Sequence, residues 1–243
     1  MTDCLSHLCL LHISALDRDV AGNSHPLHLA AREGHLDVVK LLLDSGAEKD
    51  RPGFNDLTPL GLSLNVAYPA RAAPNQLETM KLLVEYGADI NKSYLLFDAV
   101  SLRDQSIIKY LLDHGGSINS RNPGDYSLLG HAAGSTDYKT VEFLLQNGAV
   151  LENPVDGCPN PALSSAAEKE KLDTQPLLFA HADDNTRSKY GEAIVVAAGA
   201  GHLEAVKVLL ASGVDLESPG EMGQRALHAA CASTVPLPEM VAY

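Results

Sequence analysis

Ten histidines are the side chains in this sequence that could bind a metal ion or transfer a proton near neutral pH. Four of them form two matching pairs. His28 and His228 each follow a leucine, and His35 and His202 each stand between a glycine and a leucine. A metal or catalytic centre is built once from a few such residues. Histidines that recur in the same local pattern instead indicate a repeated structural unit.

Other patterns that could do chemistry are incomplete. The segment Gly199-Ala200-Gly201 lacks the further glycine or lysine of a phosphate-binding loop. Asp183-Asp184 has no evident third ligand for a metal ion, and we place it on a hairpin stem. No Ser/His/Asp or Cys/His arrangement can be assembled from the sequence. We therefore predict no catalytic residue, no metal site and no cofactor, and we expect that the chain is not an enzyme.

The cysteines and the apolar segments predict a cytoplasmic protein. The four cysteines show no Cys-x-x-Cys spacing, which favours a reduced intracellular chain. The apolar stretch from Leu5 to Ala15 has no basic residue ahead of it, and His7 and His12 interrupt it, so it is not typical of a secretory signal. No apolar run is long enough to span a membrane. A nuclear location is left open.

The charge of the chain excludes two classes of partner. The formal net charge is −13, and acidic residues are spread along the whole length. Nucleic acids and anionic lipids need clustered lysine and arginine side chains. The absence of tryptophan and the few aromatic residues also disfavour base stacking. We expect neither nucleic acid nor membrane as a partner.

Residues 25–50 show the element that positions these histidines. Pro26 suits the first position of a helix, where its missing N–H is not needed. A short apolar stripe follows and ends near Gly34, and a second helical stripe runs from Leu36 to Leu43. Gly46 stands where a left-handed C-cap is expected. Neither helix is long enough to be stable alone, so the pair must stack on copies of itself.

The copies share one spacing. The residue that opens the first helix and the residue that closes the second are 21 apart in four units: His25 to Gly46, Tyr94 to Gly115, Ser127 to Gly148, and Glu192 to Gly213. A fifth unit, from Thr58 to Gly87, is stretched by eight residues. The extra residues, near 67–75, contain two prolines and predict a loop between the two helices.

A period near 33 with a Pro-Leu-His opening resembles the ankyrin repeat. The resemblance covers nearly the whole chain. It implies an all-α fold, an ankyrin-repeat solenoid of paired antiparallel helices joined by short β-hairpin loops. It also implies that the first-helix histidine bonds to hairpin backbone and that the second histidine closes the turn.

We predict a single ankyrin-repeat domain, residues 1–243. Its divisions are a partial N-terminal unit (1–20), four repeats (21–51, 52–91, 92–119 and 120–153), a degenerate repeat (154–186), a repeat (187–218) and a truncated C-terminal repeat (219–243). In the degenerate repeat, Pro176 is expected to break the second helix. His181 occupies the position of the closing glycine. We therefore expect this repeat to be the softest segment.

The resemblance also implies the function, since proteins of this family hold protein partners on their hairpin tips and concave helix face. We predict a non-catalytic interaction module or scaffold, monomeric, that binds a protein partner. The candidate partner-binding residues are Arg32, Glu33, Phe54, Asn55, Leu57, Asn65, Ser101, Leu102, Asn122, Tyr126, Lys189, Tyr190 and Met222. For Tyr126 and Tyr190, packing on their own hairpins is the alternative.

Three other interpretations stay open at this point. The chain could be the ankyrin-repeat portion of a larger protein with an enzyme or NTPase module elsewhere. It could be a weakly folded product without a selected partner, because several units are irregular. It could also be a substrate of an asparaginyl hydroxylase, because Asn91, Asn119, Asn153 and Asn185 close successive units.

Overall fold

The computed structural model describes residues 25–53, 56–64, 75–122, 124, 126–151, 161–187, 190–220 and 223–232. These residues form short α-helices and one 3₁₀ helix, Ile90–Lys92. The helices are α1 Pro26–Arg32, α2 Leu36–Asp44, α3 Pro59–Ser63, α4 Gln76–Glu85, α5 Leu95–Leu102, α6 Gln105–Asp113, α7 Leu128–Ser135, α8 Tyr138–Gln146, α9 Pro161–Glu168, α10 Thr174–His181, α11 Asp184–Arg187, α12 Gly191–Ala200, α13 Leu203–Ala211 and α14 Ala226–Ala232.

Capping residues set where several helices begin. The Thr58 hydroxyl accepts a hydrogen bond from Gly61 N at 3.2 Å, at the start of α3. Ser127 does the same for Gly130 N at 3.0 Å, at the start of α7. Such caps satisfy backbone N–H groups that have no partner inside the helix. Their placement agrees with the predicted opening residues.

The closing glycines end the second helices as predicted. Gly46, Gly87, Gly115, Gly148 and Gly213 all have positive φ. After Gly46, the N–H of Ala47 donates back to Leu42 O at 2.9 Å. This left-handed turn favours glycine because a side chain there is strained.

The chain divides into two compact units. The first, called the N-unit, runs to Leu102 and includes Ser106–Ser117. The second, called the C-unit, comprises Arg103–Gln105 and the chain from Ile118 onward. In the N-unit α1 packs on α3 and α2 on α4. In the C-unit α7, α9, α12 and α14 pack in succession, and α8, α10 and α13 form a second succession.

Each unit has a core of residues from equivalent positions of its repeats. In the N-unit, Leu27, Leu60 and Leu96 are buried, and each is the second residue after the opening residue of its repeat. In the C-unit, Leu129 and Ile194 take that position and are also buried. This is the stacking that the short helices require, because each repeat buries its apolar face against the next.

The connections before the first helices are tight turns. Among the described residues no β-strand forms, and the β structure there is one isolated bridge between Arg121 and Ser127. Three turns close in the same way: Gly53 N donates to Leu57 O, Asn122 N to Tyr126 O and Gly220 N to Gln224 O, at 2.7–3.1 Å. In each case one backbone hydrogen bond joins two residues four apart in the chain.

The degenerate repeat is more helical than predicted. Pro176 does not break α10, because it is the third residue of the helix, where its missing N–H costs no internal bond. The helix ends at His181, and the C-cap is Ala182 with φ −79°, so no glycine is needed. Asp183 caps a further short helix, α11, by accepting from Thr186 N at 2.7 Å. The hairpin stem expected at Asp183-Asp184 was therefore wrong.

Helix α10 buries the polar side chain of Gln175 at a position where the other repeats bury an apolar residue. Gln175 is 0% exposed, and neither its Nε2 nor its Oε1 has a hydrogen-bond partner among the described residues. In the other second helices the equivalent core position holds an apolar residue: Val39, Met80, Ile108, Val141 and Val206. Gln175 is a specific physical reason for a weaker repeat here, although the prediction that this segment is the softest stays a prediction.

Several predicted segments lie outside the described residues. These are the partial N-terminal unit, the insertion loop at 67–75 except Asn75, and the chain beyond Ala232. The repeat boundaries and the single domain therefore stay predictions.

Candidate partner-binding surface

The hairpin tip that includes Asn122, Gly124 and Tyr126 carries an exposed aromatic side chain. Tyr126 is 48% exposed. It stands directly before Ser127, the cap of α7, and its backbone O accepts from Asn122 N at 3.1 Å. A β-carbon added to Gly124 would lie 3.5 Å from Tyr126 Cδ2, so the ring passes close to the tip backbone. Tyr126 therefore leans on its own hairpin and still presents about half of its surface.

Asn122 holds this tip in place. Its Oδ1 accepts from both Gly124 N and Tyr126 N, each at 3.0 Å. An asparagine in this position shapes the turn through its own side chain. Two of the predicted partner-binding residues thus come together, with Asn122 as the support and Tyr126 as the exposed group.

Tyr190 is not exposed, and the expectation that it lies on a hairpin tip was wrong. It is 1% exposed, and its ring centroid is 5.4 Å from that of Phe179. The Arg187 guanidinium lies 5.1 Å from the Phe179 ring centroid. The short helix α11 replaces the expected hairpin, which brings Tyr190 into the core of the C-unit.

In the N-unit, one side of α5 is exposed. Tyr94 and Leu102 are each 44% exposed, and Ser101 is also exposed. The Ser101 hydroxyl donates to Phe97 O at 2.9 Å. Leu95, Leu96, Phe97, Ala99 and Val100 are buried. The predicted residues Ser101 and Leu102 are therefore part of an exposed line along this helix.

Asp98 lies in the middle of that line, and the sequence analysis missed it. The side chain is half-buried, and burial raises the pKa of its carboxyl from 3.8 to about 6. The repeat-equivalent residues of the N-unit are Leu29 and Leu62. A carboxyl where the neighbouring repeats carry leucine was the signal that could have identified it.

The remaining described candidates differ in exposure. Arg32 and Glu33 form an exposed ion pair between Nε and Oε1 at 2.9 Å. Leu57 is half-buried, and its backbone O is 3.2 Å from His28 Nε2. Phe54, Asn55, Asn65, Lys189 and Met222 lie outside the described residues.

Two of the four paired histidines lie against backbone carbonyls. His28 is buried against Leu57 O, which confirms the contact between the first helix and the hairpin. Burial, followed by the neighbouring His25, lowers the pKa of His28 and favours its neutral form. His202 Nε2 is 2.8 Å from Glu168 O, in the preceding repeat. His228 is exposed.

The turns that follow the closing glycines are joined by side chains from the preceding repeat. Asp50 Oδ1 accepts from Asp89 N at 2.8 Å, and Asn91 Oδ1 accepts from Ser117 N at 2.9 Å. Asn119 Oδ1 accepts from Val150 N at 2.9 Å. Each donor is two residues after a closing glycine, so the contact repeats with the units. These side chains support the turns.

In the described ranges, no three His, Cys, Asp or Glu side chains converge as metal ligands. None of the described helices is long and apolar enough to cross a membrane.

Comparison with known families agrees with this architecture. The family model for ankyrin repeats in three copies matches residues 70–154 and 163–243, and the model of a single ankyrin repeat matches residues 23–53. These matches cover more than half of the chain. The chain therefore belongs to the ankyrin repeat family.

Individual relatives are similar over different lengths. The transient receptor potential cation channel subfamily A member 1 homolog of Caenorhabditis elegans is 36% identical over 111 residues, which are 44% of this chain and 8% of that protein. The ankyrin repeat domain-containing protein SAT10 of Stachybotrys chartarum is 28% identical over 205 residues, 82% of this chain and 10% of its own length. The chain thus spans about one tenth of these relatives.

A solved structure shows the same fold. The ankyrin repeat domain of human ASB11 superimposes with a TM-score of 0.67 and 22% sequence identity. The match covers 90% of this chain and 97% of that domain. Ankyrin repeats are protein-interaction modules, and the family match places this chain in that general class.

Proposed function

We propose that this chain is a non-catalytic recognition module that binds a protein partner through its hairpin tips and the exposed side of its first helices. The observation that carries the proposal is the tip at 122–126, where Asn122 fixes the backbone that presents Tyr126. Exposed tyrosines on rigid supports are typical anchors of protein interfaces.

The mechanism is binding to a surface that is formed in advance. Because the Tyr126 backbone is already held, little conformational entropy is lost when a partner covers the side chain. The net charge of −13 favours a basic or neutral partner surface. It also predicts faster association at low ionic strength.

The test compares two exposed tyrosines of the C-unit. Tyr126→Ala removes the proposed anchor, and Tyr138→Ala removes a tyrosine of similar exposure at the start of α8. Wild type and both variants are immobilised and incubated with lysate of the source organism. Both variants are first shown to melt within a few degrees of wild type. A replacement of Tyr190 is unsuitable, because that side chain is buried.

We expect a protein that is captured by wild type and Tyr138→Ala and is lost or reduced at least tenfold with Tyr126→Ala. A partner retained by all three proteins would remove the tip at 122–126 from the proposal. Absence of any specific partner would contradict the function itself.

A second candidate is that this chain is the ankyrin-repeat portion of a larger protein whose activity lies in another module. The observation that favours it is the short span of the matches, 8% and 10% of the two relatives. Reading the coding sequence on both sides tests this candidate. An in-frame continuation supports it, and stop codons on both sides exclude it.

The cytoplasmic location and the monomeric state are part of the proposal. Fractionation of source cells checks the location. Light scattering of the purified chain checks the mass. A nuclear signal or a dimer mass would change these two points without affecting partner binding.

A further inference from the structure

One side of α5 combines an aromatic ring, a carboxyl and an aliphatic side chain. We call Tyr94, Asp98, Ser101 and Leu102 the α5 line. Tyr94 directly precedes α5, and its backbone O accepts from Asp98 N in the first turn. Because Tyr94, Asp98 and Leu102 follow at intervals of four residues, they lie on the same side of the helix. The α5 line is the part of residues 94–102 that is not buried.

The carboxyl of this line has no compensating charge among the described residues. No described cation or hydrogen-bond donor pairs with Asp98, and burial is the cause of its raised pKa, about 6. At pH 7 the carboxylate is still mostly ionised and is partly removed from water. A group in this state gains more from an incoming cation than a fully solvated carboxylate does.

The aromatic ring beside it is fixed. The centroids of Tyr94 and Phe97 are 6.2 Å apart, and the ring planes meet at 74°, an edge-to-face contact. Phe97 is buried, so it holds Tyr94 from below while Tyr94 stays 44% exposed. One turn of helix separates this ring from Asp98.

We propose that the α5 line binds an arginine side chain of the protein partner, with the guanidinium on Asp98 and its flat face or stem beside Tyr94. This inference rests on the proposed function and names the chemistry of the partner. Arginine fits better than lysine, because its planar group bonds a carboxylate with two N–H groups, stacks on aromatic rings and is weakly hydrated. Leu102 offers apolar surface to the neighbouring residue of the partner.

The test uses the full chain and three pools of pentapeptides. The central residue is arginine, lysine or citrulline, and the other four positions are mixtures of uncharged amino acids. Citrulline has the shape of arginine without its charge. Binding is followed by NMR, through the carboxyl ¹³C resonance of Asp98 and the backbone resonances of α5. Asp98→Asn is compared with Asp37→Asn, which removes an exposed carboxylate from α2 and changes the net charge equally.

We expect the arginine pool to bind at least tenfold more tightly than the citrulline pool and to lower the apparent pKa of Asp98. This preference is lost in Asp98→Asn and kept in Asp37→Asn. Equal binding of the arginine and citrulline pools, an arginine preference that survives in Asp98→Asn, or equal binding of the lysine and arginine pools overturns the inference.

The two proposals fail in different ways. A cellular partner that depends on Tyr126 and binds Asp98→Asn as well as wild type overturns the arginine site and leaves the proposed function intact. An arginine preference that requires Asp98, in a chain that captures no cellular partner, contradicts the proposed function and supports the site.

Discussion

The side chain of Asn91 holds the closing turn of the next repeat by accepting a hydrogen bond from Ser117 N at 2.9 Å. Its Nδ2 also donates to Gly115 O at 3.0 Å. Asn91 therefore joins two successive repeats of the N-unit. Both bonds go to backbone groups, so the contact does not depend on which side chains occupy the turn.

Replacement of Asn91 by alanine is expected to destabilise the chain by about 1–2 kcal/mol, because two hydrogen bonds between repeats are lost. Asn91→Asp keeps the acceptor and loses the donor, so its effect is expected to be smaller. Urea denaturation measures both variants. Asn147→Ala is the control, since Asn147 Nδ2 donates to Phe143 O within the same repeat. A loss for Asn91→Ala no greater than the control contradicts this role.

Replacement of Gln175 by methionine is expected to stabilise the C-unit by about 1–3 kcal/mol. The amide of Gln175 is buried and has no hydrogen-bond partner in the part of the chain that the structure describes, and an apolar side chain of similar volume removes that cost. Thermal unfolding followed by circular dichroism measures the effect. The matched control is Gln224→Met at an exposed position, for which no stabilisation is expected. A lower melting temperature for Gln175→Met would mean that the amide is in fact satisfied.

Two glycines of α12 are expected to respond to alanine with opposite signs. Gly199 is helical, and an added β-carbon would lie 3.5 Å from Ala229 Cβ, an ordinary contact. Gly199→Ala should therefore gain about 0.5–1 kcal/mol from helix propensity. Gly201 is the C-cap with φ 80°, where alanine should cost about 1–2 kcal/mol. Two shifts of the same sign in chemical denaturation would contradict the assigned backbone.

Replacement of Asp98 by asparagine is expected to stabilise the chain at pH 7.5 by about 1–3 kcal/mol. The pKa of this carboxyl is raised from 3.8 to about 6, so the folded state holds the proton more tightly than the unfolded state. The wild type therefore loses stability as the pH rises from about 4 to 6. Asp98→Asn should lack this loss, and the two proteins should converge near pH 4.

The measurement for Asp98→Asn is the melting temperature between pH 4 and 8, with Asp37→Asn as the control. Asp37 is exposed, so its replacement controls for the loss of one negative charge. If the difference between Asp98→Asn and wild type is independent of pH, the raised pKa is wrong.

The fold was predictable because its signals repeat. Pro26 opens a helix, Gly46 closes one, and the same spacing returns along the chain, so each copy confirms the others. Thr58 and Ser127 cap the helices that the spacing assigns to them. In each case a local rule and the stacking of the repeats favour the same structure.

The exceptions arise where one residue can be accommodated in two ways. A proline breaks a helix when it stands in the interior and is tolerated when it stands in the first turn. Pro176 stands in the first turn of α10, and the outcome depended on where that helix begins. Tyr190 could lie on a tip or in the core, and the short helix α11 places it in the core. The exposure of Asp98 depends on how α5 packs, which the local sequence does not specify.

In the tip at 122–126, one residue holds the backbone and another presents the exposed side chain. Asn122 bonds to backbone N–H groups, which every residue except proline has, so these two bonds can form with any other residue at position 126. A single codon change there can alter what the tip contacts and leave these two bonds in place. The same position is therefore suited to retargeting, by natural drift or by a small library of residues placed at 126.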